Sequence, residues 1–303
     1  MTRDILRSSQ VSALLGLSAP TVNQGKVRNK GFELSVTYNH MVRSGTFKGL
    51  TYNIGGNLVH NTNELVKFGA EEISGYHLYK EGIPYGTYYM LDCIGVFADQ
   101  NEIDHSPKQF NDNTLPGDLK YRDANGDGKI DNNDRVQMKG QYPSVEYAFT
   151  GGATWKGFDL SFIAQGVGNK KYYTTEWGVQ PFLQGSAPTK DYVKHMWTEE
   201  NPNGAKYPRL YYSNLGGSKN TRPSDFFLKD ASFFRVKNIT FGYTLPRALT
   251  QKLKCDKIRV YFSGDNLFTF TPYKGCDPER AGDGNDAQYP QNKVYSFGVN
   301  INI

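Results

Sequence analysis

The last seventy-odd residues, Ser232 to Ile303, constrain the fold most. They hold three alternations of apolar and polar side chains in succession. In the first, Ile239, Phe241, Tyr243 and Leu245 share one parity, and Asn238, Thr240, Gly242 and Thr244 the other. In the second, Ile258, Val260 and Phe262 alternate with Lys257, Arg259, Tyr261 and Ser263. In the third, Tyr295, Phe297, Val299, Ile301 and Ile303 alternate with Ser296, Gly298, Asn300 and Asn302. A period of two puts the two sets on opposite faces of a strand. Each run is about ten residues, against a usual strand length of about five or six. That is the length a tilted strand needs to cross a bilayer. The second set is small, hydroxyl-bearing or amide-bearing, which suits a wet lumen better than a dry sandwich core. The pattern predicts a transmembrane β-barrel wall.

Earlier segments repeat the pattern. Phe32, Leu34, Val36 and Tyr38 oppose Glu33, Ser35, Thr37 and Asn39. A polar turn at Arg43 to Gly45 leads to a partner strand, in which Leu50, Tyr52, Ile54 and Leu58 oppose Thr51, Asn53, Gly55 and Asn57. These two form a hairpin. Val145, Tyr147, Phe149, Ala153 and Trp155 precede a tight Lys156-Gly157 turn. Beyond it Phe158, Leu160, Phe162 and Ala164 oppose Asp159, Ser161 and Gln165. Residues 1–28 read as irregular, with turn signals at Pro20, Asn23 and Gly25. Alternation lapses over 61–142, 168–231 and 271–291, three long polar excursions of a length that is usually functional. Lys190 to Thr198 reads as a short helix inside the second, and RALTQKLK after Pro246 as a helical turn. Connections thus alternate short and long, as in barrels with short periplasmic turns and long outer loops. The reading is all-β: an antiparallel barrel portion of about seven or eight long strands, too few to close a wide barrel.

Composition excludes other classes. The 38% hydrophobic content of the 303 residues includes no run of about eighteen apolar residues, the minimum for a spanning helix. An aromatic share of 14% fits the girdles at the two interfaces of a barrel. The net charge of +5 is spread out, without the Lys/Arg blocks of a nucleic-acid binder. Cys93, Cys255 and Cys276 lie far apart with no metal-type spacing, and read as incidental thiols. His40, His60, His77, His105 and His195 lie singly, with no zinc or catalytic spacing. No nucleophile elbow or phosphate-binding loop occurs in a fitting context, and GDGND at Gly282 to Asp286 reads as a polar loop.

One motif points to a metal. Asp123, Asn125, Asp127, Asp131 and Asp134 fall at positions 1, 3, 5, 9 and 12 of an EF-hand-type loop, with Gly128 at the sharp turn and the Lys129 carbonyl at position 7. Ca²⁺ takes six to eight hard oxygens, and this spacing wraps them around one point. Asp at position 12 is shorter than the usual Glu, and the flanks are not two long helices. The expectation is a structural Ca²⁺ loop without an EF-hand pair; the alternative is an Asp/Asn/Gly surface turn that binds nothing. Tyr172, Tyr173, Trp177 and Trp197 fall in the second long loop. Exposed rings there could stack on a sugar, although loop packing is the commoner role.

Several strings, taken in order, resemble one family. NKGFELSVTY (Asn29 to Tyr38), DANGDGKIDNNDR (Asp123 to Arg135), WKGFDLSFIAQGV (Trp155 to Val167), FFRVKNITFGYTLP (Phe233 to Pro246), IRVYFSGDNLFTFTPYKGCDPE (Ile258 to Glu279) and YPQNKVYSFGVNINI (Tyr289 to Ile303) are similar to segments of SusC/RagA-type TonB-dependent outer-membrane receptors. The resemblance implies a 22-stranded barrel with an N-terminal plug in the outer membrane of a Gram-negative, Bacteroidota-like cell. It also implies TonB energisation, a SusD-like surface lipoprotein, and import of oligosaccharides or peptides. Residues 1–303 match the C-terminal part of such a barrel; the plug, the TonB box and a signal peptide are absent from them, so TonB is reached through the missing N-terminal part. Ile303 departs from the aromatic end such barrels carry, with Phe297 and Tyr295 close by. The reading is therefore a transporter portion and not an enzyme, with lipid around it and no nucleic-acid partner. One rival is a secreted or surface all-β Ca²⁺-binding adhesin, which would lack a lipid-facing stripe. Another is a β-rich carbohydrate hydrolase, which needs two carboxylates about five to ten ångströms apart across a cleft. Glu176, Glu199 and Glu200 are its loop acids, and nothing in the sequence pairs them.

Overall fold

The computed structural model describes residues 2–8, 14, 16, 18, 20–110, 113–175, 179–211, 219–279, 282–284 and 289–303. Eight strands form one antiparallel sheet in which every strand pairs with its neighbours in sequence. They are β1 (Thr2–Ser8), β2 (Thr21–Met41), β3 (Thr51–Lys67), β4 (Val145–Trp155), β5 (Phe158–Gly168), β6 (Phe233–Thr244), β7 (Lys257–Phe270) and β8 (Val294–Asn302). No helix among the described residues is long and apolar enough to cross a membrane.

The register carries the alternation across the sheet. One cross-strand row runs Tyr52, Ala153, Leu160, Phe241, Phe262, Phe297, one residue from each strand from β3 to β8. The adjacent row runs Asn39, Asn53, Gly152, Ser161, Thr240, Ser263, Ser296. The first row points to one face and the second to the other, because side chains flip at each step. On the polar face the hydroxyls of Thr240 and Ser263 lie 2.9 Å apart, and the Asn238 amide donates to Ser263 Oγ at 2.9 Å. The apolar face is uncovered: Phe32, Leu34, Val36 and Tyr38 are 53–59% exposed, and Phe297 is 84% exposed.

Two expectations change. Residues 1–28 are not irregular throughout, since Thr2–Ser8 pairs with the start of β2, which itself begins at Thr21. The first long excursion starts after Lys67 and not at Asn61, because β3 continues with its polar residues Asn61 to Glu64 paired against Arg28 to Gly31. Polar residues on both faces at the end of a strand carry no period-two signal, so these ends are invisible to pattern reading.

Short and long connections separate to opposite ends of the strands. Residues 42–50, 156–157 and 245–256 close one end, and 68–144, 169–232 and 271–293 rise from the other. The expected helices form in two of them, at Lys190–His195 and Arg247–Thr250. The first is capped by the Thr189 hydroxyl, which accepts from the Tyr192 N–H. Lys156 and Gly157 have φ of +49° and +87°, the left-handed pair that a two-residue hairpin turn requires.

The compact core lies in the long loops. Tyr88, Met90, Tyr173 and Phe227 form one buried cluster; Leu91, Leu119, Tyr121 and Ile130 form a second. A four-stranded sheet that includes Glu72–Ser74, His77–Tyr79, Thr87–Met90 and Val136–Met138 stiffens the first loop. Sheet residues Ala164, Phe233, Ile258 and Leu267 are buried as well, but the wall itself contributes few such positions.

The turn provides a test. A Cβ on Gly157 would sit 2.8 Å from the Thr244 carbonyl oxygen, in a conformation that costs a non-glycine residue about 1–2 kcal/mol. Gly157→Val is expected to lower the stability of the refolded chain by at least that amount in a denaturant titration, whereas Lys156→Gly leaves it unchanged or raised.

Candidate functional site

The loop ends of β5, β6 and β7 carry the densest polar chemistry, and a defect in strand regularity aims it. Ile163 and Ala164 on β5 pair with Asn238 and Val236 on β6, leaving Lys237 as an extra residue. Such a bulge shifts the parity of the strand beyond it. Without it, Arg235 and Lys237 would share the apolar face with Ile239 and Phe241. With it, Arg235 turns to the face of Gln165 and Thr269, its cross-strand partners.

On that face Arg235 is 3% exposed and fully engaged. Nη2 donates to both Asp277 oxygens at 3.0 Å, Nη1 to Glu279 at 2.6 Å and Nε to the Thr269 hydroxyl at 2.8 Å. Lys237 Nζ donates to Glu279 at 3.1 Å and to Gln291 at 3.2 Å, and Gln165 donates to Glu279 at 3.1 Å. This network fastens the loop after β7 to the sheet. Farther along, Asp283 fastens it to the other two loops: its Oδ1 accepts from the Tyr88 hydroxyl at 2.7 Å and from the Tyr173 N–H at 2.9 Å. The three long connections therefore form one body above the wall.

Within that body a cavity of about 880 Å³ opens between the second and third loops. Tyr192 stacks on Tyr207 at 4.6 Å on one side, and Phe226 and Phe227 stand edge to face beside them at 5.0 Å. Val179, Leu183 and Leu210 add aliphatic surface. Polar and charged groups line it as well, Gln180, Asn220, Lys229 and Asp230 among them. Asp191 accepts from the Lys206 ammonium at 2.8 Å and the Tyr207 hydroxyl at 2.6 Å, and these bonds hold its carboxyl well below the usual carboxylate range. Burial pulls the Lys229 ammonium below the ordinary lysine range, and it sits over the Phe226 ring at 5.0 Å. Burial and the Asp118 carboxylate, which accepts the Tyr211 hydroxyl at 2.5 Å, push that phenol up.

The sequence-predicted aromatics are not at this surface. Tyr172 and Tyr173 are 6% and 2% exposed and pack on Tyr273 and Phe227 respectively. Burial pushes both phenols up to about 12. Trp197 is 9% exposed, and its indole N–H donates to the Ala98 carbonyl at 3.0 Å. Their rings join loop to loop, because a large ring buries more area in a junction than at a rim. Trp177 and Glu176 lie outside the described residues. The cavity aromatics Tyr192, Tyr207 and Phe226 were not singled out in the sequence. The Pro202-Asn203-Gly204 turn near them is the available signal, since beyond it the Lys206 and Tyr207 N–H groups come back to the His195 carbonyl.

The Asp loop is ordered by its own backbone. Asp123 accepts from the N–H groups of Gly126 and Gly128 at 2.7 and 2.9 Å, Asn125 from that of Asp127, and Asp127 from that of Lys129. Asp134, fully buried, accepts from Ala124 at 2.9 Å, Asn125 at 3.3 Å and Asp131 at 2.7 Å. The Gly128 N–H holds the Asp123 carboxyl below its ordinary range, and the Asn133 N–H does the same for Asp131. The Lys129 ammonium lies 3.1 Å from Asp131 and 3.9 Å from Asp127. Among the described residues no group of three or more His, Cys, Asp or Glu converges on a point that would hold a metal ion.

Comparison with known proteins places the sheet and its loops in context. No protein-family profile matches the chain. It is 27% identical to TonB-dependent receptor P3 of Formosa agariphila, over 99% of this chain and 31% of that receptor. It is 28% identical to TonB-dependent receptor SusC of Bacteroides thetaiotaomicron, over 99% of this chain and 29% of that one. The chain is thus similar over nearly its whole length to TonB-dependent receptors, SusC among them. It spans under a third of these receptors' length, and they are receptors and transporters rather than enzymes. The solved RagAB peptide transporter superposes with a TM-score of 0.77 at 22% identity, over 99% of this chain and 32% of that one. That likeness fixes the fold: an incomplete antiparallel barrel, as expected. SusC/RagA-type receptors are outer-membrane proteins, in keeping with a β-rich chain that has no apolar helical span among the described residues.

The ion network gives a prediction at this site. Asp277→Ala removes one of the two carboxylates on Arg235 and leaves Glu279 at 2.6 Å, so the cost is that of a buried donor losing its partner, about 1–3 kcal/mol. A denaturant titration is expected to show a loss of that order, with earlier proteolysis within 271–291. Arg235→Met combined with Asp277→Leu is expected to lose less than the single variant.

Proposed function

We propose that the chain is the C-terminal barrel portion of an outer-membrane nutrient receptor that imports oligosaccharides or peptides. In this reading residues 68–144, 169–232 and 271–293 are its outer loops, a SusD-like lipoprotein covers them, and TonB acts through a plug-bearing N-terminal part. The observation that carries it is the apolar belt from Tyr52 to Phe297, uncovered on one face while hydroxyls and amides line the other. A belt of that size on a soluble monomer is an association hazard, whereas lipid covers it without loss. The belt counts against a soluble adhesin. Relatives that are TonB-dependent receptors support the transport reading, and the likeness to the RagAB peptide transporter supports peptide as one cargo class.

The test is a charge placed in the belt. Phe241→Lys puts an ammonium on the lipid side of the wall, toward its short-turn end, where it costs about 1–3 kcal/mol, less than at the midplane. The variant is expected to lose that much stability in vesicles, while Thr240→Lys, on the polar face, loses far less. Equal losses, or a monodisperse detergent-free monomer, would sink the reading.

The Asp loop enters the proposal as a stiffener of the first outer loop, with Ca²⁺ as its ion. The oxygen spacing from Asp123 to Asp134 supports this; the Lys129 ammonium beside Asp131 and Asp127 opposes it, because it already supplies local positive charge. Millimolar Ca²⁺ is expected to release heat in isothermal titration and to protect residues 123–134 from proteolysis. Absence of both effects reduces the loop to a hydrogen-bonded turn.

A further inference from the structure

The end of the sheet closed by the short connections carries a charge that the fold does not use. Residues 42–50, 156–157 and 245–256 hold six cations, Arg43, Lys48, Lys156, Arg247, Lys252 and Lys254, against one carboxylate, Asp256. That net charge of +5 equals the +5 of all 303 residues, so the rest of the chain is neutral overall. All six cations are exposed, and among the described residues none of them forms an ion pair. Exposed lysines elsewhere do pair, as Lys80 does with Glu71 and Lys206 with Asp191, each at 2.8 Å. Successive short connections lie two strands apart, about 10 Å along the edge, so the cations form a row. Like charges along one edge repel each other, and an anionic partner turns that repulsion into attraction.

Apolar groups stand among these cations. Trp155, the last residue of β4, has the parity of Ala153 and so lies on the apolar face. Its ring is 5.6 Å from that of the exposed Phe47, and its indole N–H donates to the Lys48 carbonyl at 3.3 Å. The Lys156 ammonium lies 4.5 Å from the Trp155 ring centre. Phe158, the partner of Trp155 across the turn, meets the Tyr243 ring at 4.5 Å. The apolar belt thus ends in a rim of aromatic rings, with ammonium groups one step beyond it. The connection after β6 repeats the mixture in helical form. There Leu249 and Leu253, four positions apart, are both exposed among Arg247, Lys252 and Lys254.

Exposed rings and leucines interleaved with cations are the composition of a segment that lies at a membrane boundary. Apolar side chains there dip below the headgroups, while Lys and Arg extend their charged ends to the phosphates. An acidic soluble protein would meet the cations equally well, but it gives no reason for the rings to continue the lipid-facing belt. A headgroup surface without net charge gives no reason for the excess of cations. We propose that the short-turn end is a docking surface for anionic phospholipid headgroups. Lys48 and Lys156 meet them beside the Phe47–Trp155 pair, and Arg247, Lys252 and Lys254 meet them around Leu249 and Leu253. The proposal rests on the barrel reading, in which these turns face the periplasm and the leaflet is the inner one. It adds a preference for lipid charge, which a barrel wall does not need in order to span.

The experiment measures, by flotation, partition of the full 303-residue chain from detergent into two kinds of vesicle. One is phosphatidylcholine alone, and the other is phosphatidylcholine with phosphatidylglycerol. A cation near an anionic surface is worth about fivefold in partition. The chain is expected to prefer the anionic vesicles by on the order of a hundredfold or more at about 0.01 M salt, where the screening length is about 30 Å. The preference is expected to vanish at about 1 M, where that length is about 3 Å. Lys48→Gln, Lys156→Gln and Lys252→Gln together are expected to remove about a hundredfold of the preference, three cations at about fivefold each. They are expected to leave partition into phosphatidylcholine unchanged, which shows that the variant still folds. Lys139→Gln, Lys190→Gln and Lys194→Gln, the same charge change in the long loops, are expected to keep the preference. Phe47→Ser is expected to weaken partition into both lipids alike. Equal partition of the unaltered chain into the two vesicles would overturn the proposal, as would a long-loop variant that loses as much as the short-turn one. Capture of polyaspartate through the same three lysines, without a lipid preference, would assign the surface to an acidic protein instead. Failure to enter either vesicle sinks the barrel reading and this proposal with it, whereas equal entry into both sinks this proposal alone.

Discussion

Everything in this chain depends on how backbone polarity is satisfied in a sheet whose apolar face is uncovered. In lipid each N–H and C=O must pair within the protein, so a spanning sheet must bond strand to strand without interruption. The meander of β1 to β8 does this for every internal strand. Sequential pairing then aligns equal parities, and side chains of one kind collect in rows across six or seven strands. The apolar row from Tyr52 to Phe297 and the polar row from Asn39 to Ser296 are two outcomes of one register. A slip of one residue would exchange the faces along an entire strand. At the sheet's two ends, β1 and β8 each have a single neighbour among the described residues, and an edge of that kind accepts another strand.

The bulge at Lys237 shows what is gained by breaking the register once. Strict alternation would send Arg235 and Lys237 outward, into the apolar belt. One extra residue turns both inward, where Asp277 and Glu279 meet them. Neither carboxylate belongs to the sheet; both come from the loop after β7. The ion network thus works as a rivet between wall and loop, and its burial makes it specific. A buried guanidinium tolerates no other placement, because leaving it unpaired is costly. Asp283 continues the same logic by tying the third loop to Tyr88 and Tyr173.

The loops are consequently a folded body and not a fringe. Their buried tyrosines, the small four-stranded sheet and the self-bonded Asp turn give them the core that a wall one residue thick lacks. This explains why Tyr172, Tyr173 and Trp197 are interior while a different set of aromatics faces the cavity. A ring in a loop is informative about ligands only when its neighbours are known. The cavity itself exists because loops two and three are held at a set distance by contacts elsewhere.

The sequence by itself determined the wall: the strand positions from Phe32 to Tyr38, Thr51 to Leu58, Val145 to Ala164 and Ile239 to Ile303, the Lys156-Gly157 turn and the grouping of short and long connections. Those features are local, since period-two burial and left-handed turn residues act within a few positions along the chain. The tertiary structure decided the rest. The strand Thr2–Ser8 and the polar ends of β2 and β3 exist through pairing and not through pattern. The inward turn of Arg235, its carboxylates forty residues away and the Asp283 tie to Tyr88 and Tyr173 depend on contacts between distant segments, which no spacing along the chain encodes. The alternation fixes which way side chains face in the wall, and only packing decides what meets above it.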